Sequence, residues 1–257
     1  MRVRIVSWNC QMALYKKFDQ LLSLRPDIAI IPECASPEKD ARKGRQLPCT
    51  GREWIGFNED KGLGIFWFNG IGISVYPRYS DKLQLYLPVE VRGPCEFHLL
   101  AAWMAEKRSI PAGTNNGPKD AVEYYQGFLT AKAAVVAGDF NYYPPVDELY
   151  GMGLESAHCV GVQGPMCPPP PHTHYHKRKL DSRPIAVDYL FVPTMGRMRL
   201  AHFEVGDPQQ WIKYSDHMPL IADLDVVDGP APRLWWARLR GRLLHGRSRL
   251  AAQRLLT

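Results

Sequence analysis

A mixed α/β domain with much antiparallel sheet is the fold class the sequence predicts, and three observations predict it. The chain opens with a strand, a helix and a second strand within residues 3–31, the signature of a βαβ unit. Residues 53–103 then break into short strand-like runs separated by Gly, Pro and Asn turns, the pattern of antiparallel neighbours. After a long irregular stretch, the last part of the body returns to strands.

Each element has a local reason. Val3–Trp8 is a short β-rich run, and Leu14, Phe18, Leu21 and Leu22 follow at helical spacing. Pro26 ends that helix, and Asp27–Ile31 reads as a strand buried on both faces. Residues 36–51 read as a polar loop. Strands are predicted at 53–57, 63–68, 72–76, 83–91 and 96–103. A Gly-, Asn- and Pro-rich loop at 110–118 leads to a helix near 119–130. Ala133–Ala137 is a small-residue strand ending in Gly138-Asp139-Phe140-Asn141. The tract Pro168-Pro169-Pro170-Pro171 is extended and solvated. Strands return at 185–192, 200–205 and 219–227.

Composition sets the outer bounds. With 257 residues, 46% hydrophobic and 23% charged, the chain can bury a sizeable core, which excludes intrinsic disorder as its overall description. The net charge of +6 is unevenly spread: residues 230–257 hold seven arginines and no acid, leaving residues 1–229 at −1. We therefore read 1–229 as the folded body and 230–257 as an Arg-rich tail or helix. No apolar run reaches the ~18 residues of a membrane span, and no secretory signal is visible at the start. Six cysteines without a CxxC pair point to reduced thiols in a cytoplasmic protein, not to a disulfide framework or zinc ribbon.

Five segments place a polar or acidic residue at the end of an apolar strand: Ser7-Trp8-Asn9, Ile31-Pro32-Glu33, Gly138-Asp139-Phe140-Asn141, Val187-Asp188-Tyr189 and Ser215-Asp216-His217. Singly, each is an ordinary turn or cap. Together they would repel one another by several kcal/mol unless a cation or phosphate chemistry justified the cluster. Hard oxygen ligands of this kind select magnesium or manganese over zinc.

These segments, with Asp188-Tyr189-Leu190-Phe191 and Ser215-Asp216-His217-Met218-Pro219-Leu220 in order, resemble the motifs of the endonuclease/exonuclease/phosphatase superfamily. The resemblance runs from Val3 to about Val227. It implies a four-layered α/β/β/α sandwich of two mixed, largely antiparallel sheets flanked by helices. It also implies a magnesium- or manganese-dependent hydrolase of phosphate esters. Under it, Glu33 is the principal metal ligand, with Asn9 beside it and Asp216 opposite. Asp139 orients and deprotonates the attacking water, helped by Asn141, which also holds a phosphate oxygen. His217, paired with Asp188, donates to the scissile phosphate. In-line attack on phosphorus needs such parts: a positioned water, a base, and positive charge on the non-bridging oxygens.

Three departures stand out. Gln11 lies where several nucleases carry an acid, Trp103 lies where relatives place a phosphate-contacting His or Tyr, and few residues separate Trp103 from Asp139. The core is intact, and DNA specificity is not implied.

The stretch His172-Thr173-His174-Tyr175-His176 reads either as a zinc-binding strand face or, by the resemblance, as cleft lining, with Thr173 and His176 as substrate contacts. Lys177, Arg178 and Lys179 would then meet an anionic leaving group, or else form a solvated basic loop. His98, on the strand face opposite Trp103, reads as a satisfied core or surface histidine. In the tail, Trp236, Leu239, Leu243 and Leu250 with interleaved arginines suggest a helix for a polyanion or an anionic membrane surface; a flexible basic tail is the alternative. Phosphodiester hydrolysis leads the functional reading. Its rivals are a phosphomonoesterase or phospholipid head-group phosphodiesterase of the same fold, and a catalytically silent nucleic-acid-binding module.

Overall fold

The computed structural model describes residues 1–93, 95–105, 117–141, 144–162 and 167–226, so the Arg-rich tail lies outside the described residues. The strands are β1 (Arg2–Ser7), β2 (Ile28–Cys34), β3 (Gly51–Asn58), β4 (Lys61–Trp67), β5 (Gly72–Val75), β6 (Tyr86–Arg92), β7 (Phe97–Trp103), β8 (Ala134–Asp139), β9 (Leu154–Ser156), β10 (Asp188–Pro193), β11 (Met198–Val205) and β12 (Leu220–Val226). The helices are α1 (Phe18–Ser23), α2 (Pro37–Arg42), α3 (Pro118–Tyr124), α4 (Gln126–Ala131), α5 (Val146–Gly151) and α6 (Pro208–Trp211). One six-stranded sheet has the order β11-β12-β1-β2-β4-β3, and the other β5-β6-β7-β8-β10-β9. Among the described residues, only β1 with β2 and β7 with β8 pair in parallel, and the other ladders are antiparallel. The run of strands at 53–103 is thus divided between the two sheets.

Strand alternation explains the layering. On β1, Val3 and Ile5 face the second sheet, where they meet Ile28, Ile30, Leu99, Ala101, Val135 and Leu190 in one core. Val6 and Trp8 face the other way and pack with Leu14, Phe18 and Leu21 beside α1. On the far side, Leu100, Ala102 and Val136 pack against Val122 of α3, Phe128 and Leu129 of α4, and Tyr125 between the two helices. Three apolar layers separated by two sheets make a helix–sheet–sheet–helix sandwich. β2 reads as continuously apolar because Ile28 and Ile30 fill one layer while Ala29 and Ile31 fill the next. Each such aliphatic side chain contributes about 1.5–3 kcal/mol on burial.

His98 faces the α4 side: its Nδ1 lies 2.6 Å from the Phe128 carbonyl and its ring stacks on Phe128 at 4.1 Å. The polar loop expected at 36–51 contains α2. It starts because Ser36 caps Lys39 N–H and Pro37 opens the first turn. The cysteine expectation needs a correction. Cys159 and Cys167 are joined in a disulfide, while Cys10, Cys34, Cys49 and Cys95 are free. Scattered spacing carried no hint of it, because the pair joins two cysteines only eight positions apart and not a framework.

Arg4 and Asp223 fasten the chain's start to its last described strand. Asp223 accepts from Arg4 Nε at 2.7 Å and Nη2 at 2.9 Å. That hydrogen bond holds the buried Asp223 carboxyl below the ordinary carboxylate range, against the opposing effect of burial. A lowered acid stabilises the fold above its unfolded pKa of ~3.9, and the gain is lost as pH falls through the folded value. Arg4→Met should therefore cost about 1–3 kcal/mol at neutral pH. Denaturant melts of both proteins should show this gap closing below about pH 4; a gap that does not move with pH would refute the pairing.

Candidate active site

The topology gathers five chain segments at one end of the sandwich. β1 and β2 run parallel and bring Asn9, two residues past β1, and Glu33, next to the last residue of β2, to that end. β12 is antiparallel to β1, with Leu220 opposite Ser7, so the preceding Ser215–His217 turn returns to the same place. In the second sheet β8 ends at Asp139, directly opposite Asp188 at the start of antiparallel β10. Gly138 precedes it at φ +150, and a Cβ there would run into the Ala102 carbonyl, so the backbone can carry Asp139 only behind a glycine.

Asp139 is fully buried and is the hub of the site. Its Oδ2 accepts from Asn9 Nδ2 at 2.8 Å, a bond that crosses from one sheet to the other. Its Oδ1 accepts from the Asn141 backbone N–H at 2.9 Å, and Asn141 Nδ2 reaches the Met104 carbonyl at 2.7 Å. Burial pushes the Asp139 carboxyl up to about 7, with Asp188 adding to the rise and the His217 charge opposing it. His217 Nδ1 sits 2.8 Å from Asp188 Oδ2, and both residues are buried. Burial alone would discharge the imidazole, but the negative charges of Asp188 and Asp139 and the Asp188 hydrogen bond outweigh it, holding the pKa at about 10. The other Asp188 oxygen is buried without a partner among the described residues. Ligating atoms of Asp139, Asp188 and His217 lie within 4.8 Å of one another.

Asp216 faces a second set of donors. Its Oδ2 accepts from Gln11 Nε2 at 2.8 Å and lies 3.7 Å from His174 Nε2. Burial would raise its pKa, but the neighbouring His174 and the His217 charge bring it below the ordinary range. Gln11 in turn accepts from Arg178 Nε. Glu33 stands at a bulge in β2, at φ +58, and its carboxylate pairs with Lys61 at 3.0 Å.

Several sequence-based assignments change character. Trp103, expected at the cleft, is 4% exposed and its indole lies in the inter-sheet core, because strand alternation turns 97, 99, 101 and 103 inward. Its buried Nε1 has no partner among the described residues. Thr173, expected to line the cleft, is 1% exposed and its Oγ1 accepts from Val187 N–H at 3.1 Å and Asp188 N–H at 3.0 Å. It positions the start of β10 and is not open to a substrate. His176 is exposed, with its ring 6.3 Å from that of His174. The three-histidine zinc face does not form. Only His174 turns into the site, its ring 4.6 Å from that of His217.

Sequence reasoning also missed Lys17, although it falls on the apolar stripe of Leu14, Phe18 and Leu21, where a lysine is out of place. Buried at 7% exposure, its Nζ donates to the carbonyls of Cys10, Gln11 and Met12. Gln11, Met12 and Ala13 all have positive φ, so this ammonium holds a strained loop whose side chains reach Asp139 and Asp216. Burial lowers the Lys17 pKa. Lys17→Met leaves those carbonyls unsatisfied and should cost about 1–3 kcal/mol of stability. Thermal melts check this; an unchanged melting temperature would mean the loop holds its own shape.

No protein-family profile and no curated protein matches the chain. Solved structures do match it. An AP endonuclease from Archaeoglobus fulgidus superposes with a TM-score of 0.61 at 16% identity, covering 88% of this chain and 100% of that one. D. rerio TDP2 complexed with single-strand DNA product gives 0.59 at 15% identity, over 88% and 99%. An endonuclease/exonuclease/phosphatase from Beutenbergia cavernae gives 0.57 at 15% identity, over 88% and 72%. The chain has the endonuclease/exonuclease/phosphatase fold. At these identities the likeness speaks for the fold, which is shared with metal-dependent phosphoesterases, and the chemistry must be argued from this chain's own residues.

Proposed function

We propose that this chain is a magnesium- or manganese-dependent phosphoesterase acting on a phosphodiester, with nucleic acid as the leading substrate class. The observation that carries this reading is the Asn9–Asp139–Asn141 cluster set against a charged His217–Asp188 pair at one end of both sheets. A buried acid raised to about 7 beside a buried imidazolium is costly for stability alone and suited to proton transfer next to a developing anion.

In this reading Asp139 takes the proton of the attacking water, while Asn9 and Asn141 fix the direction of its carboxylate. His217, kept charged by Asp188, donates to a non-bridging oxygen as negative charge grows there. Glu33, Asp216 and the Asn9 amide oxygen are the donors for the cation. They fit a hard divalent ion in kind, being two carboxylates and an amide oxygen; here Glu33 pairs with Lys61 and Asp216 accepts from the Gln11 amide. When bound, the ion supplies positive charge to the phosphate oxygens. A DNA product is bound by one structure of the same fold, and the seven arginines of 230–257 would draw a polyanion to the body.

The test is a hydrolysis screen over single- and double-stranded DNA, RNA, a generic phosphodiester, a phosphomonoester and a phospholipid, in magnesium and in chelator. Glu33→Gln should abolish both turnover and manganese binding measured by paramagnetic resonance, with folding kept. Equal turnover in chelator and magnesium sinks the proposal. Preference for the monoester or the lipid keeps the chemistry and changes the substrate.

A further inference from the structure

Away from the carboxylates, one group of metal-capable side chains is unused by the proposed chemistry: His158, Cys159 and Cys167. His158 Nε2 lies 3.4 Å from Cys159 Sγ and 3.2 Å from Cys167 Sγ. Tetrahedral zinc, with Zn–S of about 2.3 Å and Zn–N of about 2.0 Å, sets nitrogen and sulfur about 3.5 Å apart. The imidazole is already aimed at both sulfurs. Its Nδ1 lies 2.7 Å from Ser156 Oγ; with Nδ1–H donated there, the outer hydrogen bond that typically fixes a ligating histidine, Nε2 presents its lone pair to a metal.

We propose that His158, Cys159 and Cys167 form a redox-gated site that binds a zinc-class cation when reduced and closes as a disulfide when oxidised. The oxidised form is the one in this structure. Reduction breaks the S–S bond with two electrons and two protons from a dithiol, which itself becomes a disulfide. Cation binding then releases both thiol protons to solvent, and the fourth tetrahedral position is left to water. An oxidised dithiol reverses the sequence after the cation leaves.

The location gives this clasp something to act on. β9 runs antiparallel to β10, from Leu154 opposite Pro193 to Ser156 opposite Phe191, and so heads towards the Asp188 end. Cys159 therefore leaves β9 on the active-site side, and Cys167 begins the stretch that delivers Thr173 and His174. Either closure, covalent or metallic, pins that stretch at its start.

The test uses the full chain, reduced with a phosphine that does not bind metal and then titrated with cobalt(II) and zinc(II). A single equivalent of cobalt should give a thiolate-to-cobalt charge-transfer band in the near ultraviolet, displaced by zinc and untouched by excess magnesium. Oxygen ligands at the carboxylate site give no such band. The oxidised chain and a Cys159→Ser/Cys167→Ser variant should show none, and Ser156→Ala should weaken binding about 10–100-fold. Circular dichroism establishes that each variant is folded. Should the double variant not fold, His158→Ala keeps both thiols and must still lower the affinity. A band that survives loss of both cysteines, an affinity indifferent to His158, or reduced thiols that bind no cobalt overturns the proposal. So does a disulfide that the phosphine cannot open in the folded chain.

Discussion

Asp139→Asn is expected to lower turnover on the best phosphodiester by about a hundred- to ten-thousand-fold, the usual contribution of a positioned general base. The melting temperature should move little, because two effects oppose each other. The wild-type carboxylate is fully buried and its pKa is raised, so removing its charge relieves a desolvation cost. The amide, however, turns an N–H₂ towards either Asn9 Nδ2 or the Asn141 N–H, donor against donor, where the carboxylate accepted from both. Kinetics and thermal melts of the same preparations decide it. A variant that keeps more than about a tenth of wild-type turnover would take Asp139 out of the role of base. A variant that unfolds would show that the acid is needed to join the two sheets, and the rate would then be read from Asn141→Ala, which leaves the Asn9–Asp139 bond in place.

How far such a site is legible in the sequence depends on whether a residue's role is local. The strand ends were readable because an acid or amide after an apolar run is conspicuous, and Asn9, Glu33, Asp139, Asp188 and Asp216 were marked in that way. The layering followed from alternation once the sheets were paired. Pairing itself was not readable: nothing local tells β4 to join β2 and β5 to join β6, and that partition decides which ends converge. Burial of Trp103 and Thr173 was missed for the same reason. Each lies beside a motif residue, yet which face it presents is set by register and by the close approach of 173 to 187–188. Gln11 and Lys61 escaped as partners because their roles are defined by Asp216 and Glu33, far away along the chain. Lys17 and the short helices were missed in another way. One lysine on an apolar stripe and a Ser-Pro cap before a charged turn are local signals, and both were there to be read.

The pair Asp188 and His217 should show the largest coupling in the molecule, and stability reveals it without any substrate. Both side chains are buried, 2.8 Å apart, and the second Asp188 oxygen has no partner among the described residues. His217→Ala therefore strands a buried carboxylate beside Asp139, and loss of one member of a buried pair typically costs about 3–5 kcal/mol. Asp188→Asn removes one negative charge but keeps an oxygen that can still face the ring, so it should cost less. The double variant leaves a neutral amide beside a small cavity and no stranded charge. It should be more stable than His217→Ala alone, a reversal of sign that additive behaviour forbids. In turnover the same logic applies: once His217 is gone, Asp188 has nothing left to orient, and its replacement should cost little more. Denaturant melts of the four proteins measure the first effect and kinetics the second. If the double variant is the least stable of the set by the sum of the single losses, the two side chains act independently. His217 would then owe its charge to Asp139, and the proposed division of labour, one acid for the water and one for the imidazole, would collapse onto a single carboxylate.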